Sequence, residues 1–166
     1  MKWSEIAWLK IAPIFNSIIA HPFNSELSSG TLSRERFLFY LAQDAYYLLD
    51  FARALSTISG RMNSPELVLA FSEFSTGAIV AERSLHERYF VEFGLNEDAQ
   101  PSPSTFLYTN YILRQAAYGD LGVAVASVLP CFWIYKAVGD HIFSLQAGND
   151  NVYKEWIDLY SGDDFG

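Results

Sequence analysis

The sequence specifies an all-α protein, and three features carry that reading. No stretch of its 166 residues alternates apolar and polar side chains as a half-buried strand would. Breaks are sparse, and the long segments between them repeat apolar residues at three- and four-residue steps, the period of a helix face. Half of the chain is hydrophobic (51%) and only 18% is charged. That is enough to form a core without disulfides or metals, and too apolar for intrinsic disorder. A chain of this length is expected to form a single domain over residues 1–166.

The elements follow from their stop and start signals. A first helix is expected from Lys2 to Ala20, ending before His21-Pro22. The second has Ser33 as N-cap and runs to Ser59, where Gly60 supplies the stop. Ser64 followed by Pro65 opens the third, which is expected to reach Phe93 and stop at Gly94. Residues Asn96 to Ser104 hold two prolines and read as a surface loop. A fourth helix runs from Ser104 to Gly119, and a fifth, capped by Asp120, to about Leu145. A turn at Gly148 to Asn151 leads to a short helix, Val152 to Tyr160, and a final loop, Ser161 to Gly166.

Charge and cysteine content exclude several functions. Eleven lysines and arginines face nineteen acidic residues, a net charge of −8. The cations are scattered, Arg34 and Arg36 being the closest pair, so neither a nucleic acid nor an anionic membrane is an expected partner. The single cysteine, Cys131, cannot form an intrachain disulfide and points to a reducing compartment. The N-terminal stretch carries Glu5 and Lys10 within its apolar run and lacks a small-residue cleavage site, so it is not a signal peptide. The most apolar run, Leu121 to Tyr135, falls short of the ~20 residues a bilayer span needs. It is expected to be a helix buried on all sides, and the protein to be cytoplasmic.

Two polar groups stand out against apolar surroundings. Phe37, Leu41, Leu48, Phe51 and Leu55 form the core stripe of the second helix, and the position between Leu41 and Leu48 is Asp44. A carboxylate there costs several kcal/mol unless it is paired or hydrogen-bonded. Tyr47 lies one turn further on the same face. In the fifth helix Pro130 bends an otherwise apolar segment next to Cys131, and Tyr135 shares the Cys131 face. Position alone leaves Asp44 open as a satisfied core acid and Cys131 as a small hydrophobe. Glu82 and His86 sit one turn apart but lack the i, i+3 Glu-x-x-His spacing of di-iron bundles, so no metal is expected. There is no Gly-rich phosphate loop and no Gly-x-Ser-x-Gly.

Taken together, the motifs point to a family. His21-Pro22-Phe23, Gly30-Thr31-Leu32 and Phe37-x-x-Tyr40-x-x-Gln43-Asp44-x-x-Tyr47-Leu48 resemble the TenA/THI-4 family, the thiaminase II group of thiamin salvage. Glu82-x-x-x-His86, Tyr108, Leu129-Pro130-Cys131-x-Trp133-x-Tyr135 and Trp156-Ile157-x-x-Tyr160 continue the match in order. The resemblance implies a haem-oxygenase-like helical bundle, a homotetramer and no cofactor. It also implies hydrolysis of 4-amino-5-aminomethyl-2-methylpyrimidine to the 5-hydroxymethyl pyrimidine, with possible cleavage of thiamin itself. In that scheme Asp44 accepts hydrogen bonds from the aminopyrimidine edge and Cys131 is the nucleophile. Tyr47 donates to the sulfur, while Tyr108, Tyr135 and Tyr160 line the pocket. Such charge-assisted bonds are strong ones. A thiol with a pKa near 8.5 is only slightly ionised at neutral pH, so it needs that help.

One part of the scheme has no counterpart here. The family's general acid is a glutamate on a helix beyond those recognised, and no residue of this chain takes the role by position. Asp163 and Asp164 read as solvated loop acids, and the chain as C-terminally incomplete. The competing expectation is a non-catalytic pyrimidine-binding protein. A haem or di-iron oxidase of similar architecture is disfavoured, because no carboxylate–histidine cluster accompanies His21.

Overall fold

A computed structural model describes residues 1–85, 100–146 and 150–161. Among them every regular element is a helix, as the periodicity requires. They are α1 (Trp3–Ile19), α2 (Pro22–Ser29), α3 (Arg34–Ser59), α4 (Pro65–Leu85), α5 (Pro103–Tyr118), α6 (Leu121–Ser144) and α7 (Lys154–Ser161). The chain divides into two compact units, Met1–Ser33 with Pro130–Gly166, and Arg34–Leu129.

The second unit is built around α3. Its stripe is buried as expected, with Phe37, Leu41, Leu48, Phe51 and Leu55 all nearly inaccessible. Helices α4 and α5 pack against it. Small hydroxyl residues let α4 approach closely. Ser56 and Ser75 share a hydrogen bond of 2.8 Å, Ser59 and Ser72 one of 3.0 Å, and Ser75 donates to the Ala52 carbonyl at 2.9 Å. Ser64 caps α4 through the Leu67 amide, and Pro65 occupies the first helical position.

Helix α5 runs parallel to α3 and is held at both ends, by one side chain of α3 and one from the turn that follows it. At its start Gln43 bonds the main chain at Gln100 and Ser102. At its end Arg61 donates to the carbonyls of Ala116 and Gly119, at 2.5 and 2.6 Å. Those are acceptors that a helix C-terminus leaves open. Gln43 to Arg61 and Ser102 to Gly119 are nearly equal intervals, about 27 and 26 Å at helical rise. Helix α5 begins at Pro103, with Ser102 as N-cap, one residue earlier than its proline content suggested.

The other unit contains a helix absent from the sequence reading. His21-Pro22 ends α1 and also begins α2. The His21 Nδ1 accepts from the Phe23 amide at 3.2 Å, and Pro22 takes the first helical position. Gly30 closes this short helix at φ 73°, with its own amide bonded to Leu27 and that of Thr31 to Glu26. The axes of α1 and α2 differ by 59°. Asn151 fastens the segment before α7 onto α2, donating to the Leu27 and Ser28 carbonyls at 2.9 and 3.0 Å. The Tyr153 hydroxyl donates to the Leu32 carbonyl at 2.6 Å. None of the α1 residues is fully buried, and Trp3, Leu9 and Ile14 are exposed.

Helix α6 corrects a second expectation. Its apolar run is not buried on all sides: Ala124, Ser127, Val128, Gly139 and Ile142 are buried, most others are half-buried, and Val123 and Phe143 are exposed. A helix of 24 residues presents more apolar surface than its neighbours cover, with Pro130 at its centre. By length and hydropathy it could cross a membrane, a test that core helices of soluble proteins also pass. Asp120 caps it, accepting from the Gly122 amide at 3.0 Å.

Candidate active site

Two groups of the expected site residues are placed, one in each compact unit. In the Arg34–Leu129 unit, α3 carries Asp44 and Tyr47 three residues apart, on one face. Tyr47 stacks on Phe51 with ring centroids 5.3 Å apart, and on Tyr108 of α5 at 5.6 Å with planes only 8° apart. Tyr47 is half-buried while Tyr108 keeps 38% of its surface accessible. Tyr47 thus stacks with two rings one helical turn from a carboxylate, and aromatic faces near a polar group are what a planar heterocycle with a polar edge would use.

Asp44 is the unusual member. It lies half-buried in the stripe between Leu41 and Leu48, and among the described residues it makes no hydrogen bond or ion pair. Desolvation raises its carboxyl from the ordinary 3.8 to about 7. A group in that state holds a proton near neutrality, or gives it up to a partner that supplies positive charge.

Gln43, adjacent in sequence, is a residue to which the sequence reading gave no role. Its Oε1 accepts from the Ser102 amide at 2.7 Å and its Nε2 donates to the Gln100 carbonyl at 3.2 Å. Nothing local in the sequence signals this bond, because its partners lie 57 and 59 residues away.

In the other unit, the second half of α6 carries Cys131 and Tyr135 one turn apart, both half-buried. Cys131 is in no disulfide. Pro130 precedes it within the helix, at a position where one backbone hydrogen bond is lost. Trp133 packs on Trp8 of α1 at 5.2 Å between ring centroids, and Trp8 on Phe15 at 5.0 Å. These two tryptophans, with Met1, Ser4, Glu5 and Leu9, line an open groove of about 460 Å³. Tyr160 belongs to α7, but its side chain lies outside the described residues, as do the side chain of Glu82 and all of His86, Asp163 and Asp164. Among the described residues no group of three or more His, Cys, Asp or Glu could hold a metal ion.

The pattern of motifs has counterparts in known proteins. The model of the TENA/THI-4/PQQC family matches residues 8–166. The chain belongs to that family. This TENA/THI-4/PQQC chain is 33% identical over 172 residues to the aminopyrimidine aminohydrolase of Halalkalibacterium halodurans, spanning 99% of this chain and 76% of that protein. Identity to the Bacillus subtilis aminopyrimidine aminohydrolase is 30% over 169 residues, spanning 99% of this chain and 71% of that protein. A thiamine biosynthesis multifunctional protein, ThiED of Corynebacterium efficiens, is 35% identical over 165 residues. The match takes in 98% of this chain but only 22% of that longer protein. Among solved structures, a TenA family transcription regulator from Silicibacter sp. TM1040 superimposes with a TM-score of 0.90. It is 27% identical, and the match covers 99% of this chain and 74% of that one. The motif resemblance and the all-α class are both borne out.

Proposed function

We propose that this TENA/THI-4/PQQC member is an aminopyrimidine aminohydrolase of thiamin salvage. Its reaction converts 4-amino-5-aminomethyl-2-methylpyrimidine and water to the 5-hydroxymethyl pyrimidine and ammonia. The observation that carries the reading is Asp44, a carboxylate in a buried stripe with no partner among the described residues, standing next to the Tyr47–Tyr108 stack. An aminopyrimidine offers what that site lacks, a flat ring and an edge of N–H donors.

In this reading Asp44 accepts from the amino group and ring edge, a charge-assisted contact worth more than a neutral one. Tyr108 and Tyr135 contact the ring, and Tyr160 completes the wall. The Cys131 thiolate adds to the pyrimidine ring, and the 5-methylene amine departs as ammonia after taking up a proton. Water then adds at the methylene and the thiolate leaves, which restores the ring and the enzyme. Tyr47 donates its hydroxyl hydrogen bond to the sulfur and stabilises the thiolate. No cofactor takes part. We assign the protein to the cytoplasm and to a homo-oligomer, a tetramer by family resemblance, and we read residues 1–166 as a single TenA-like helical domain.

Ammonia release and calorimetric binding, measured on the same pyrimidine, test the proposal. Cys131→Ala is expected to abolish release and keep binding. Full activity in that variant removes Cys131 as nucleophile. Binding without any release by the unsubstituted protein assigns it instead as a pyrimidine-binding protein.

A further inference from the structure

We propose that Gln43 is a positioning residue, whose side-chain amide sets the start of α5 and so places Tyr108 against Tyr47 beside Asp44. The inference rests on the reading of Asp44 and the two tyrosines as the pyrimidine site.

The local chemistry is unusually restrictive. Gln100 and Ser102 flank Pro101, and Pro103 follows. Proline has no N–H, so in the Pro101-Ser102-Pro103 tripeptide the Ser102 amide is the sole backbone donor. Gln43 takes that donor at 2.7 Å and returns a bond to the Gln100 carbonyl at 3.2 Å. An amide side chain thus pairs with extended main chain as a neighbouring strand would. The two prolines stiffen the segment, so fixing Ser102 also fixes the direction in which the helix departs. The Ser102 hydroxyl then caps α5 through the Thr105 amide at 3.2 Å.

From this anchor the two rings are reached over short, rigid distances. Tyr47 is one helical turn beyond Gln43, about 6 Å, and Tyr108 is six residues beyond Ser102, about 9 Å. Because α3 and α5 run the same way, an axial slip of α5 moves Tyr108 along the face of Tyr47 by the same amount. Their planes lie 8° apart at a centroid distance of 5.6 Å, a geometry that such a slip destroys. Arg61 holds the opposite end of α5, at the Gln115, Ala116 and Gly119 carbonyls, seven residues or more beyond Tyr108. Both anchors stabilise the helix, but only Gln43 lies one turn from Tyr47 on the α3 side, whereas Arg61 lies fourteen residues beyond it.

The test compares Gln43→Ala with Arg61→Ala. Two readouts are taken: the near-ultraviolet circular dichroism component that Tyr108→Leu removes, measured without ligand, and the Kd for 4-amino-5-aminomethyl-2-methylpyrimidine. Gln43→Ala is expected to lose the ring signal and weaken binding about tenfold, with no further loss when added to Tyr108→Leu. Arg61→Ala is expected to lower the melting temperature at least as much while keeping signal and affinity. Ser102→Pro against Ser102→Ala repeats the comparison from the other partner, since both lose the hydroxyl cap and only the first loses the amide. Losses that follow melting temperature in all variants, or Gln43→Ala and Tyr108→Leu effects that simply add, overturn the proposal. If the unsubstituted protein binds no pyrimidine, the functional reading fails, and the ligand-free ring signal still decides the role of Gln43.

Discussion

Asp44 and Asp50 stand six residues apart on α3, both against the core, and the chain treats them in opposite ways. Asp50 is only 9% exposed, and Arg53, one turn on, brings its Nη1 to 2.8 Å from the carboxylate. The Arg53 side chain itself remains largely in solvent. At Asp44 the equivalent i+3 position is Tyr47, whose ring is committed to the stack with Phe51 and Tyr108. The same helix thus neutralises one carboxylate and leaves the other without a partner among the described residues. Asp44 costs stability where it stands, which is what a group kept for a ligand looks like.

The largest expected effect is on stability, and its pH dependence sharpens the contrast. The folded-state carboxyl of Asp44 lies at about 7, above the unfolded 3.8, so between those values the folded form binds more protons. Stability then falls as pH rises through that window, and the cost is complete above pH 7 and absent below about pH 4. At about 1.4 kcal/mol per pH unit the penalty is on the order of 4 kcal/mol. Asp44→Asn removes it, so the variant is expected to gain stability in urea unfolding at pH 8. That gain should fade towards pH 4. A gain independent of pH would mean that Asp44 is not the desolvated group.

Second in size is the loss of ligand. Asp44→Asn keeps the shape of the side chain but gives up the charge and turns one acceptor into a donor. Affinity for the aminomethyl pyrimidine is expected to fall by about 10- to 150-fold, the worth of a hydrogen bond to a charged group. Titration calorimetry on the stabilised variant separates this from misfolding, because the protein that binds less is the one that melts later. Unchanged affinity would break the contrast, leaving Asp44 as a burdened residue with no ligand.

How much of this was legible in sequence follows from the range of each interaction. The α3 stripe and the anomaly of Asp44 are periodic features, and periodicity survives in one dimension. The Ser64-Pro65 start and the Gly60 stop are local backbone chemistry and were equally readable. Helix α2 was missed because His21-Pro22 is a stop for one helix and a start for the next, and only the His21 Nδ1 bond to Phe23 and the positive φ of Gly30 tell them apart. The burial of α6 was overstated because mean hydropathy says that a surface is apolar and not that a neighbour covers it. Gln43 was invisible in role, although its name stood in the motif, since its partners are brought to it by the fold alone. The roles given to Tyr47, Tyr108 and Cys131 rest on the resemblance of the motifs to a family, which is a signal in the sequence and not in the packing.

The smallest effect comes from making Asp50 resemble Asp44. Arg53→Ala removes the ion pair and leaves Asp50 buried on one side without its cation. Because Arg53 is 62% exposed, solvent already screens the pair, and the loss is expected to be about 0.5–1 kcal/mol at pH 7. The informative part is what the substitution does to the ligand site. Pyrimidine affinity should stay unchanged in Arg53→Ala, since neither member of that pair belongs to the proposed pyrimidine site. A tenfold loss of affinity would instead show that the two acids form one electrostatic unit, and that pairing Asp50 is part of how Asp44 is kept poised.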